Sequence, residues 1–136
     1  MIGLLLGAGK GQRAAAMEAV RLAGARTERG LAVFLARPHI ASQAVCQAGY
    51  DLRRYTLELE LEQRARATDL LGDLGIETRF SLFNIRPPAL QRGVRLAVQL
   101  ECEMLVMARG RRPVSDLTRR LCERRFGLPI LSVARD

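Results

Sequence analysis

Short apolar runs alternate along this chain with stretches of helical periodicity. The runs at 2–6, 31–36, 104–108 and 130–133 each contain at most one polar side chain. Strands of a parallel sheet have this composition when helices cover both faces, so the four runs predict four buried parallel strands.

The segment 77–84 has a different pattern. Thr78, Phe80 and Leu82 alternate with Arg79 and Ser81. A strand with one apolar and one polar face is half solvated, so this segment is predicted to be a strand at the edge of the sheet.

Three stretches have helical spacing: 14–25, the segment that begins at Pro87 and Pro88, and 115–125. Proline favours the first turn of a helix, because its fixed backbone angle already suits that position. The apolar residues of the second stretch form one stripe, as expected for a helix packed on a core. They are Leu90, Val94, Ala97 and Leu100.

The segment 51–74 allows two interpretations. Its leucines and glutamates alternate between 57 and 62 as in a strand. We predict a helix, because Leu and Glu are good helix formers and no β-branched run or turn signal interrupts the segment. Residues 37–49 contain Pro38 and Gly49 and have no clear period, so a long loop with at most one helical turn is expected there.

The order of these elements predicts the fold class. Strands that alternate with helices, joined by right-handed crossovers, give an α/β domain with a doubly wound five-stranded parallel sheet, strand order 3-2-1-4-5 and helices on both faces. One domain is expected to span residues 1–136. In this order strands 1 and 4 are neighbours at the switch point, so the turns GAGKGQ and ARGRR should face each other across a crevice.

Composition excludes several classes of function. The apolar run at the start of MIGLLLGAGKGQ is too short for a membrane span or a signal peptide. We therefore expect a cytoplasmic protein with no membrane partner. Three cysteines without CxxC spacing and the single His39 supply no metal site and no histidine-based triad. No nucleophile has a base nearby, and adjacent Ser115 and Asp116 are expected to cap a helix, so the chain is predicted not to be an enzyme.

Arginine dominates the charge of the chain. The net charge is +8, and Lys10 is the only lysine among 22 basic residues. Seven arginines between Arg109 and Arg125, against Asp116 and Glu123, give this segment a charge of +5. The guanidinium fork suits phosphates and carboxylates, which favours an anionic small molecule or protein partner, although a solvated surface is the simpler interpretation. A nucleic-acid-binding basic domain is the alternative of another class, but it is disfavoured because no reading motif or aromatic platform accompanies the arginines.

The two turns at the switch point hold the candidate site for a nucleotide or anion. Glycines at a helix start and charged forks both suit phosphate, although the glycines could simply turn the chain. GAGKGQ matches neither the dinucleotide fingerprint nor the Walker A motif. It is also similar to the entry loop of nucleotidyltransferases, but the metal-binding carboxylates those enzymes need at strand ends are absent. The candidate residues are Gly7, Gly9, Lys10, Gly11, Arg109, Gly110, Arg111, Arg112 and Ser115.

The stretches NIRPPALQRGVRLAVQLECEMLVMARG and GLPILSVARD resemble the third, fourth and fifth strands and the Pro-led helix of the universal stress protein family. The resemblance covers essentially the whole chain. It implies a role in stress response through partner interaction or ligand sensing.

The family's nucleotide-binding branch carries G-2x-G-9x-G-[ST] after the fourth strand and an Asp at the end of the first. Here Ala108 replaces the first glycine, and Gly110 is the only glycine of the motif that remains. Ser115 matches the end of the motif after a shortened connection. The first strand ends in Leu6 and Gly7, with no Asp. A carboxylate at Asp116 would also repel phosphate at that helix start. ATP binding of the family type and a resident cofactor are therefore not expected, and the alternative is ATP or AMP bound through the Arg-rich loop.

The last strand is an edge in the predicted order, and an uncovered edge exposes unpaired backbone groups. The resemblance implies a homodimer through this strand, and closed two-fold symmetry is the common arrangement for such pairs. The predicted interface is Ile130, Leu131, Ser132 and Val133.

Overall fold

The computed structural model describes residues 1–7, 11–25, 30–37, 46–49, 51–74, 79–109 and 113–134. Five parallel strands form one sheet in the order β3-β2-β1-β4-β5, which confirms the predicted doubly wound topology. They are β1 Ile2–Leu6, β2 Gly30–Ala36, β3 Arg79–Ile85, β4 Met104–Ala108 and β5 Ile130–Val133. All five residues of central β1 are buried.

Among the described residues, two long helices cover each face of the sheet. They are α1 Gln12–Gly24, α2 Leu52–Asp73, α3 Ala89–Gln99 and α4 Pro113–Phe126. On one face Leu4 and Leu6 pack with buried alanines of α1 and with Leu71 of α2. On the other face Leu5 and Phe34 pack with Val94 of α3 and Cys122 of α4. Successive residues of a strand point to opposite faces, so the apolar runs supply both cores.

Segment 51–74 is a helix, as predicted. The carboxylate of Asp51 accepts a hydrogen bond from the Arg53 amide at 3.0 Å, which caps the first turn of α2. Leu57 and Leu61, which alternate with glutamates, are exposed, while Ala67 and Leu71 are buried. Helix propensity therefore outweighs the strand-like alternation.

Several predicted helix starts are wrong by two residues. Helix α4 begins at Pro113, so Asp116 lies in its first turn and does not cap it, and Ser115 is also inside the helix. The fixed angle of Pro113 suits the first helical position. Conversely, α3 begins only at Ala89. Pro87 precedes a proline and therefore disfavours helical angles, and the backbone of Pro88 is extended. Helix α1 begins at Gln12, not at residue 14.

The loop predicted at 37–49 lies largely outside the described residues, apart from Arg37 and residues 46–49. Across the described ranges, no helix combines the length and the apolar character that a membrane crossing requires.

Candidate functional site

The glycine turn after β1 is described at its two ends. Gly7 follows β1, and Gly11 precedes α1 with a φ of 90°, a left-handed conformation that favours glycine. Gly11 therefore lets the chain turn tightly into α1, in line with the simpler interpretation of these glycines. Gly9 and Lys10 lie outside the described residues.

The arginine turn after β4 is described only at its start. The Arg109 amide donates to the Val133 carbonyl at 2.8 Å, which extends the pairing of β4 with β5. Gly110, Arg111 and Arg112 lie outside the described residues, as does the side chain of Ser115. Because β1 and β4 are parallel neighbours, Gly7 and Arg109 follow their ends at the same edge of the sheet. That is the part of the predicted crevice that the structure describes.

A cavity of about 370 Å³ lies at the carboxyl ends of β1 and β2, against α2. Leu6 and Leu35 line it from the strands, and Leu59 and Leu70 line it from α2. Its volume is at the lower end of the range for ligand pockets, and mostly apolar walls with a few polar groups are typical of such pockets. It is the strongest candidate for a binding site in the part of the chain that the structure describes.

Three contacts fix α2 beside this cavity. Arg37, just after β2, forms an ion pair with Glu60, and both side chains are largely buried. The Gln63 amide nitrogen donates to the Ala36 carbonyl at 2.8 Å. Arg64 Nε donates to Asn84 Oδ1 at 2.6 Å, which connects α2 to β3. The wall formed by α2 is therefore attached to two strands.

Gln63 gives the cavity an unsatisfied polar group. Its amide nitrogen is used by Ala36, while its Oε1 is buried and has no hydrogen-bond partner among the described residues. A buried acceptor without a partner costs about 1–3 kcal/mol. A ligand that donates an N–H or O–H to Gln63 Oε1 would remove this cost.

The remaining polar groups of the cavity are engaged within the chain. Gln12 Oε1 accepts a hydrogen bond from the Gly7 amide at 2.9 Å. Arg66 forms an ion pair with Glu62, and both side chains are exposed. The Gly7 N–H, which follows β1, is thus already bonded. Among the described lining residues, the one cation, Arg66, already has a carboxylate partner. These features favour a neutral, largely apolar ligand surface over a phosphate group at this position.

The sequence reasoning missed the α2 side of the cavity. It expected the site between the ends of β1 and β4, whereas the cavity lies at the ends of β1 and β2. A signal was present: Leu59, Gln63, Ala67 and Leu70 form an uncharged stripe at helical spacing on a helix otherwise rich in charges.

The cysteines and carboxylates do not form a further site. The three cysteines are free, with Cys46 exposed and the other two buried. Burial raises the pKa of the Cys102 thiol and of the Cys122 thiol, so both stay protonated at neutral pH. No cluster of potential metal ligands occurs in the described ranges.

We expect one thiol to react much faster than the other two. In native buffer near neutral pH, a chromogenic disulfide reagent should consume Cys46 quickly, because its thiol is accessible, and Cys102 and Cys122 slowly. In denaturant all three should react at similar rates. Three fast thiols in native buffer would contradict the burial of the other two.

No protein-family model matches this sequence, and no curated protein matches it at a significant level. A solved structure described as "Crystal structure of universal stress protein in complex with cAMP" aligns with 98% of this chain and 97% of its own, with a TM-score of 0.60 and 18% identity. The chain has the fold of that universal stress protein. At this identity the likeness concerns the fold, and it confirms at that level the resemblance of the third to fifth strands to universal stress proteins.

Proposed function

We propose that this chain is a universal-stress-protein-like domain that contributes to a stress response by sensing a small ligand. It acts by binding and not by catalysis, in a reducing compartment such as the cytoplasm, where free cysteines persist. The observation that carries this proposal is the cavity at the ends of β1 and β2 with the unpaired carbonyl of Gln63. The fold shared with a ligand-binding universal stress protein supports it.

The lining indicates the class of ligand. Leucine side chains from β1, β2 and α2 form apolar walls, and Gln63 Oε1 requires a donor. A flat heteroaromatic amine, such as a purine base, supplies both an apolar surface and an N–H. The structure that shares the fold contains cAMP, which makes adenine nucleotides the appropriate probes. A small volume favours a compact ligand over an extended triphosphate.

Calorimetric titration of the full chain with cAMP, AMP and ATP tests this proposal. We expect saturable binding of cAMP or AMP that Gln63→Met weakens roughly tenfold, since one buried hydrogen bond is lost. Methionine keeps the length of the side chain but removes the acceptor. The matched control is Gln47→Met, the same substitution at an exposed position that lines neither cavity, which should leave binding unchanged.

Two results would overturn the proposal. One is the absence of saturable binding for all three nucleotides. The other is binding of ATP that Gln63→Met leaves intact and the double variant Arg111→Ala, Arg112→Ala abolishes. That second result would instead support the alternative of ATP or AMP held by the Arg-rich loop.

The chain is also proposed to form a homodimer through β5. This strand lies at the edge of the sheet, as the predicted order requires. Ile130 of the predicted interface already uses its outward-facing backbone groups within the chain, because Glu123 and Arg119 of α4 bond to them. The dimer contact is therefore centred on Ser132.

A further inference from the structure

In the part of the chain that the structure describes, arginines pair with glutamates beside α1 and α2 but not on β3 or α3. On the side of α1 and α2, four arginines form ion pairs with glutamates of these helices: Arg21 with Glu18, Arg37 with Glu60, Arg54 with Glu58, and Arg66 with Glu62. On the other side, the sequence has no Asp or Glu between Glu77 and Glu101, a stretch that contains β3 and α3. The arginines of that stretch therefore have no carboxylate within the same stretch of sequence.

A groove of about 620 Å³ lies between the carboxyl end of β3 and α3. Three arginines from these two elements line it: Arg86 follows β3, and Arg92 and Arg95 belong to α3. No carboxylate lines it, and Arg86 and Arg92 are exposed without an ion pair in the described part of the chain. A cleft lined by charge of one sign concentrates the electric potential and attracts ions of the opposite sign.

Other groups of the groove also donate hydrogen bonds. Gln91 and Gln99 add side-chain amides. The adjacent start of α3 has no side-chain cap and no acidic residue in its first turn, so its free N–H groups add positive potential.

Packing limits the mobility of one of the three arginines. The guanidinium carbon of Arg95 lies 5.8 Å from the centroid of the Phe126 ring, within the range of a cation–π contact. Arg125 contacts the same ring at 5.5 Å. Arg95 is thus held in place between α3 and α4, while Arg86 and Arg92 remain available to close on a ligand.

We propose that the groove between β3 and α3 is an anion site that takes the phosphate group of a small phosphorylated molecule. Arginine forks form two parallel hydrogen bonds to phosphate oxygens, and the side-chain amides of Gln91 and Gln99 are further donors. This site differs from the cavity lined by Gln63, since the groove residues lie on β3 and α3. A nucleic-acid backbone carries the same phosphate chemistry, so the experiment separates the two sources.

The test is calorimetric titration of the full chain at low ionic strength with inorganic phosphate, tripolyphosphate and a short single-stranded oligonucleotide. We expect saturable binding of the two phosphate probes that Arg86→Gln with Arg92→Gln weakens roughly tenfold or more, since charge-assisted hydrogen bonds are lost. The matched control is Arg120→Gln with Arg124→Gln. It removes equal charge from exposed positions on α4, outside the groove, and should have little effect.

Each alternative result overturns the proposal. Equal weakening by the two double variants would show general attraction to a basic protein. Tight, strongly salt-dependent binding of the oligonucleotide alone would assign the surface to nucleic acid. No saturable binding of either phosphate probe, with wild-type unfolding temperatures for the variants, would exclude the site. Gln63→Met should leave phosphate binding intact, so failure here and failure of nucleotide sensing are distinguishable.

Discussion

Replacing Phe34 with alanine is expected to lower the free energy of unfolding by about 4 kcal/mol, as for other fully buried phenylalanines. Phe34 lies in β2 with no exposed surface, and its ring centroid lies 5.8 Å from that of Phe83. On its other side Gly3 approaches so closely that a Cβ there would lie 3.1 Å from Phe34 Cε2. Neighbours on two strands cannot collapse into the space, so a cavity remains. Urea unfolding followed by circular dichroism measures the loss.

Phe80→Ala is the control for this prediction. It removes the same side chain from edge strand β3, where Phe80 is 36% exposed, and it should cost about 1 kcal/mol, because less surface returns to water. Equal losses at the two positions would contradict the placement of β2 inside the sheet and β3 at its edge.

The sheet was predictable because its strands are coded locally. Strands β1, β4 and β5 have the predicted bounds, since each is a mostly apolar run, and β1 stops before Gly7 and β4 before Arg109. Helix starts were less predictable, because Pro113 begins a helix while Pro88 only precedes one. Proline is compatible with both positions, so its presence marks the region of a helix start but not the first helical residue.

The cavity at the ends of β1 and β2 depends on contacts that no local pattern encodes. The ion pair of Arg37 with Glu60 and the hydrogen bond of Gln63 to Ala36 join residues 23 and 27 positions apart. They place α2 over the end of β2 and so create the cavity. The groove arginines, by contrast, are close in sequence, since α3 begins at Ala89, soon after β3 ends at Ile85.

The arginine segment 109–125 shows the limit of counting charge along a sequence. Arg119 belongs to this segment, yet it is only 20% exposed and forms an ion pair with Glu123 at 3.1 Å. It also donates to the Ile130 carbonyl at 3.3 Å. This arginine therefore stabilises the last strand and is not free for an external anion, whereas arginines outside the segment line the groove.

Glu123→Ala is expected to lower the free energy of unfolding by about 2 kcal/mol, because a largely buried N–H would lose its acceptor. Glu123 Oε1 accepts from the Ile130 amide at 2.9 Å as well as from Arg119. Glu123→Gln keeps an acceptor for Ile130 but loses the charge, so about half of the effect should remain. Urea unfolding of the three proteins gives the comparison.

The control is Glu58→Ala, because Glu58 also pairs with an arginine four residues away on a helix. Arg54 and Glu58 are 81% and 63% exposed and 3.4 Å apart. Exposed pairs of this kind contribute less than about 0.5 kcal/mol. A loss at Glu58 as large as that at Glu123 would show that the bond to β5 contributes nothing.

Glu123→Ala should also strengthen the proposed dimer. The Pro129 and Val133 carbonyls accept hydrogen bonds from β4, so the alternation of a strand directs the backbone groups of Ile130 and Ser132 toward the free edge. Glu123 and Arg119 occupy those of Ile130, which leaves Ser132 to pair with a second copy. Removing the carboxylate frees the Ile130 amide, so more backbone groups of β5 can pair with a second copy, as the exposed edges of sheets tend to do.

Sedimentation velocity over a concentration series should therefore show a lower dimer dissociation constant for the variant. A wild-type dimer that the variant leaves unchanged would place the interface away from β5, and monomers in both proteins would contradict dimerisation itself.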